Sequence, residues 1–195
     1  MRESGHAHHP SVFARAWHRS FGVTPPLGDR LRADFPERWT RFHALPGSKR
    51  YSESAAEKQI ILDRANTLAS DCFGNSDRVW VAAGYLKGSP LNPNCIAKRM
   101  AMRASLEWAD EAEEITDREE FEFYVVETKW EPSSFDVIFD EIAEDRDRAI
   151  IFDAVTGTVL APYDGGFDLV SLQPRIISEL EKKHRSWMSD RLDKL

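Results

Sequence analysis

The stretch RAIIFDAVTGTVLAPYD, residues 148 to 164, constrains the fold more than any other. Two runs rich in β-branched and aliphatic residues meet at Thr156-Gly157, and a glycine there can supply the turn of a tight hairpin. At least one pair of strands is therefore antiparallel. Other strands are expected around it. RVWVAAGYLK (78 to 87) is rich in Val and aromatics and ends at Gly88-Ser89-Pro90, while FEFYVVETKW (121 to 130) alternates and is closed by Pro132. RWTRFHAL (38 to 45) fits a shorter strand before the break at PGSKR.

Helical spacing fills the gaps. Val12, Phe13, Ala16, Trp17 and Phe21 share one face, and Gly22 suits the stop. SESAAEKQIILDRANTLASDCFG opens on a capping-box pair, Ser54 and Glu57, and ends at Gly74; Ile61, Ala65, Leu68, Cys72 and Phe73 run down one side. VTPPLGDRLRADFP leaves room for one short helical turn, and a helix is expected over 94 to 114. Phe135, Ile138, Phe139 and Ile142 mark another helix behind a Ser cap, and SLQPRIISELEKKHRSWMSDRL the last, with Ser171 as cap and Pro174 in its first turn. The economical solution is α+β: a single, mainly antiparallel sheet of four to five short strands with helices packed on it. Residues 1 to 9 read as a flexible tail and 10 to 195 as one domain.

Charge is unevenly spread. Residues 1 to 50 hold nine Lys/Arg against four Asp/Glu, a net of +5, leaving −12 for the remainder because the whole chain carries −7. EWADEAEEITDREEFE (107 to 122) sets nine acidic residues against Arg118 alone. That balance disfavours sequence-independent nucleic-acid binding, which needs a basic face, and favours a basic partner. No apolar run reaches the ~18 residues of a membrane span, and the polar N-terminus lacks the apolar core of a signal peptide. With two cysteines there is no disulfide framework, so a reduced, cytoplasmic setting is expected.

Chemistry has few handles. A phosphate loop, a G-x-S-x-G elbow, an H-E-x-x-H and a C-x-x-C are all missing from the sequence. In APYDGGFDLV (161 to 170), Asp164 and Asp168 flank Gly165 and Gly166, and Asp153 on the preceding strand could join them. Paired carboxylates build acid/base or cation sites. The same glycines equally serve a tight turn that delivers the last helix, by tolerating φ > 0, with Asp168 bracing its backbone. His6, His8 and His9 could grip a divalent metal, yet they lie in the tail and no further ligands accompany them. His184 reads as a satisfied rim histidine, Cys72 as core, and Cys95 as the more accessible thiol. Neither a cofactor nor a resident metal is implied.

The last third resembles an uncharacterised bacterial family with a C-terminal Tyr-Asp-Asp-Arg-Gly signature. Tyr163 and Asp164 match it, while Gly165 and Gly166 stand where the second Asp and the Arg would be. RFHAL and RYSESAAEKQIILDRANTLASDCFGNSDRVWVAAGYL resemble that family's Arg-Phe segment, long helix and following strand, so the similarity spans roughly residues 40 to 190. It implies the fold and a bacterial origin, without an activity.

Three functional readings stay open. The first is a non-catalytic acidic module that caps a basic protein, as immunity proteins or antitoxins neutralise toxins. Its surface would be Asp110, Glu111, Glu113, Glu114, Asp117, Glu119 and Glu120, with Trp108 and Trp130 as anchors. The second is a metal-assisted enzyme using Asp153, Asp164 and Asp168. The third is a regulatory domain with a small-ligand pocket between sheet and helices.

Overall fold

The computed structural model describes residues 11–74, 76–110 and 119–191. Its centre is one antiparallel sheet of β1 (Trp39–His43), β2 (Val79–Leu86), β3 (Arg103–Ala109), β4 (Glu120–Thr128), β5 (Ile150–Asp153), β6 (Thr158–Tyr163) and β7 (Gly166–Ser171), in the order β1-β7-β6-β5-β2-β4-β3. The helices are α1 (Val12–Phe21), α2 (Gly28–Asp34), α3 (Ala55–Phe73), α4 (Ile96–Arg99), α5 (Asp136–Ala143) and α6 (Pro174–Lys183). The α+β class and the single antiparallel sheet are as expected. The sheet, however, has seven strands in place of four to five.

Two segments account for the difference. Of residues 94 to 114, expected as a helix, 94 to 110 hold the one-turn α4 and then β3, which pairs with β4, while 111 to 114 lie outside the described residues. Good helix formers such as Ala, Leu and Glu carry a weak preference, and strand pairing outweighs it here. APYDGGFDLV is no connector to the last helix: it closes β6, turns through Asp164-Gly165, and continues as β7. All six residues of β7 are buried, so the strand shows none of the alternation that betrays a half-exposed one. Ser171 therefore ends β7 instead of capping α6, although its hydroxyl still accepts from the Gln173 amide at 3.1 Å. The α3 cap is as read: the Ser54 hydroxyl accepts from the Glu57 amide at 3.2 Å.

The sheet is clothed unequally. On one face Phe42, Val79, Val81, Ile151, Leu160 and Leu169 pack against α3, α5 and α6, through residues such as Leu68, Phe73, Phe139 and Leu180. On the other, the register lines up Trp39, Val170, Val159, Phe152 and Trp80 side by side. The aromatics of α1 cover this row, with Trp17 5.0 Å and Phe21 5.8 Å from Phe152 and Phe13 5.6 Å from Trp80, ring centre to ring centre. The neighbouring row on that face runs through Arg41, Asp168 and Ala161, then Ile150, Ala82 and Val125. Here α2 crosses at Gly28, where an added Cβ would sit 3.0 Å from that of Ala161. Small side chains under a short helix leave the space uncovered. A cleft results.

Candidate functional site: a guanidinium-lined cleft

The cleft encloses about 390 Å³ between the Pro26–Arg32 segment, the sheet and the α5–β5 connection. Ala82, Gly84, Ile150 and Ala161 floor it, so larger residues at these places would fill it. Gly84 is itself dictated by packing, because a Cβ there would meet the Phe123 ring at 2.5 Å. Phe121 forms one wall, backed by Trp108 at 6.2 Å and Phe123 at 6.1 Å. Five arginines reach the lining: Arg30, Arg32, Arg41, Arg50 and Arg148.

Asp168 organises the inner end. From β7 it receives Arg41 of β1 in two parallel bonds, Nε to Oδ1 at 2.6 Å and Nη2 to Oδ2 at 2.9 Å. This fork-on-carboxylate geometry is the strong, orienting form of an ion pair. The Arg41 guanidinium lies 4.6 Å from the ring centre of Tyr163 and 5.4 Å from that of Trp39, its neighbours along the two adjoining rows. Arg32, from α2, comes within 4.0 Å of the same carboxylate and lies over Trp39. Burial alone would push the Arg41 pKa down, but the bonds and charge of Asp168 more than reverse it. Tyr163 is pushed up to about 12, first by burial and then by the Asp168 and Asp164 charges. It is a neutral phenol throughout the physiological range.

Asp164 closes the turn beside it. Its Oδ2 accepts from Arg50 Nε at 2.5 Å and from the Tyr51 hydroxyl at 2.7 Å. Burial opposes ionisation, yet these bonds and the Arg50 charge hold the carboxyl below its ordinary range. The glycines next to it serve a purpose other than the one expected. Neither Gly165 nor Gly166 has a positive φ; Gly166 is needed because a Cβ would fall 2.3 Å from the Phe42 carbonyl oxygen.

Asp153 stands elsewhere. It is at the opposite end of β6, about 17 Å along the strand at ~3.3 Å per residue, paired in register with Thr158. Its carboxylate accepts from the Ser76 hydroxyl (2.8 Å), the Val155 amide (2.8 Å) and the Thr156 hydroxyl (2.9 Å), a closed turn network. The structure therefore brings Asp164 and Asp168 to one cleft and leaves Asp153 out of it. Among the described residues no group of three or more His, Cys, Asp or Glu could hold a metal ion.

The acidic surface is partly visible. Glu119 and Glu120 are exposed at the start of β4, and Glu119 also lines the cleft. Asp110 pairs with Arg30 at 2.8 Å, and Arg30 in turn covers the half-buried Trp108. Glu111, Glu113, Glu114 and Asp117 lie outside the described residues. Trp130 is no surface anchor: it is 4% exposed and packs edge-on against Phe135 at 5.3 Å. Cys95 is buried rather than accessible, and burial pushes the Cys72 thiol up. His184 is buried, bonded to Asp71 at 2.7 Å and stacked on Trp187.

Reading by residue type missed the arginines and Phe121. One signal was present, a lone Arg41 between Trp39 and Phe42 in a strand, where a charge needs a buried partner.

These features define a single-sheet α+β domain with a ligand-sized cleft on its thinly covered face. Residues 27–192 match the family model described as Domain of unknown function (DUF3885), and the chain belongs to that family. The match takes in every charged residue of the cleft and leaves α1 outside it. Neither the curated proteins nor the solved structures contain a match. No helix among the described residues is long and apolar enough to cross a membrane.

Proposed function

We propose that this chain is a non-catalytic recognition domain that takes a small ligand into the cleft between α2 and the sheet. One observation carries the reading. Asp168 and Asp164 hold Arg41 and Arg50 in place, while Arg148 on the same lining forms no ion pair with any other described residue. The wall is thus preorganised and one cation is available to a ligand. A volume of about 390 Å³ lies within the range of small-molecule sites. The inner titratable groups favour binding over proton transfer: Tyr163 is pushed up to about 12 and Asp164 is lowered, so each keeps one protonation state near neutrality. A fragment screen read by backbone and indole NMR tests this. Perturbations should gather at Gly84, Phe121, Arg148 and Tyr163; hits scattered over the α3 and α6 surface, or none, would refute it.

A second reading keeps the acidic end of the β3–β4 pair as a docking surface for a basic protein, in the manner of an immunity protein or antitoxin. Exposed Glu119 and Glu120, in a segment of −12 net charge, support it. Trp108, half-buried under Arg30, is the aromatic that remains for an anchor. Association with such a partner must slow as salt is added; a salt-independent on-rate removes this reading.

A further inference from the structure

Resting on the recognition reading, we infer that the ligand is a small organic anion: a flat apolar body ending in one acidic head, carboxylate or phosphate. Three of the five lining arginines are already engaged. Arg41 belongs to Asp168 and Arg50 to Asp164, each within hydrogen-bond distance. Arg30 is turned to Asp110. Asp147, also on the lining, accepts from three neutral donors, the Ile96 amide, the Arg148 amide and the Tyr85 hydroxyl. That carboxylate is satisfied without a cation, and it pins the backbone at Arg148. Among the described residues, what remains for a ligand is Arg148, with Arg32 only loosely drawn to Asp168 at 4.0 Å.

The body follows from the rest of the lining. Phe121 presents a ring backed by Trp108 and Phe123, and it rises from the same sheet face as the floor of Ala82, Ile150 and Ala161. A slot with one aromatic wall and an aliphatic floor suits a flat apolar group. Arg148 also lines the adjoining hollow by Tyr85 and Asn92, so it stands at the junction of the two and can meet a head group that projects from the slot. The lining limits the head to one acidic group. Asp29, Glu119 and Asp145 belong to it as well, and all three are exposed, so a second or third phosphate would face carboxylates. Polyphosphates and nucleic acid are excluded on the same ground.

The test titrates the full chain with four probes: 3-phenylpropionate, phenyl phosphate, 2-phenylethylamine and inorganic phosphate. Calorimetry gives affinity, and the Trp108 indole resonance reports occupancy. The two aryl anions should bind at least about tenfold more tightly than the amine or inorganic phosphate, the worth of one charge-assisted bond. Whichever aryl anion is tighter identifies the head as carboxylate or phosphate. Arg148→Ala, at an exposed position that should leave the fold intact, should cost both anions about tenfold or more, and Arg148→Lys should recover part of the loss. Equal binding of the amine, no aryl-anion binding at millimolar concentration, or indifference to Arg148→Ala overturns the inference. Neutral or cationic fragments that still map to the cleft would overturn it and leave the recognition reading standing.

Discussion

The two ends of β6 are flanked by the same kind of residue in opposite circumstances. At its start Asp153, 1% exposed, is ringed by hydroxyls and an amide from Ser76, Val155 and Thr156. At its finish Asp164 and Asp168 are just as enclosed, but guanidiniums hold them and a cleft opens beside them. Each end needs a glycine for a different reason. Gly157 has φ +66°, the left-handed conformation a tight turn asks for, whereas Gly166 lets the β1 backbone come close. The contrast separates a carboxylate that shapes a turn from one that shapes a surface. Burial alone does not distinguish them; the partners do.

The largest effect should come from Asp168. Replacing it with Ala strands the Arg41 guanidinium, whose side chain is 12% exposed, and breaking a buried pair this way costs about 3–5 kcal/mol. Chemical denaturation measures it. The double variant Arg41→Met/Asp168→Leu should recover most of that loss, because a buried pair replaced as a unit by apolar residues is close to neutral. Asp153→Ala should cost less, about 1–3 kcal/mol for donors left unpaired, with no change in ligand affinity at the cleft. If Asp153→Ala weakened ligand binding as much as Asp168→Ala, the two ends would not be separate. Gly166→Ala should fall in the same range, about 1–3 kcal/mol for overpacking, since its Cβ has to displace the Phe42 carbonyl.

How much of this was open to a reader of the sequence divides along the same line. The hairpin at the Asp153 end was readable, because turn chemistry is local and Thr156-Gly157 announces it within a few residues. The role of Asp153 was not, since residue type alone groups it with Asp164 and Asp168 and its Ser76 partner is 77 positions away. The long α3 was readable from its cap and stripe. The other end was not, because its meaning lies in partners far along the chain. Asp168 meets a residue 127 positions away and Asp164 one 114 away, and no local pattern encodes such pairings. Strand β7 was hidden for a related reason, since burial on both faces erases the period of two. The same blindness made Trp130 look like a surface anchor; its place under Phe135 and Phe139 comes from α5 folding back over it.

The smallest effect expected is at Arg50, and it is the most diagnostic in its pH dependence. Arg50 is 64% exposed on its side chain, so Arg50→Ala should cost no more than about 1 kcal/mol at neutral pH. Its influence should appear in acid. Asp164 has a folded pKa below its unfolded value of about 3.9, held there against burial by Arg50 and Tyr51. A depressed carboxylate contributes stability that is fully present above the unfolded pKa and is lost as pH falls through the folded one. Without Arg50 the folded pKa must rise toward the unfolded value, so this contribution shrinks and its loss begins at higher pH. Tyr51→Phe should move it the same way by removing the second bond to Oδ2. Carboxyl carbon NMR titration of Asp164 reads the shift directly. An unchanged midpoint in Arg50→Ala would mean that Tyr51 alone sustains the turn and that Arg50, like Arg148, is available to a ligand.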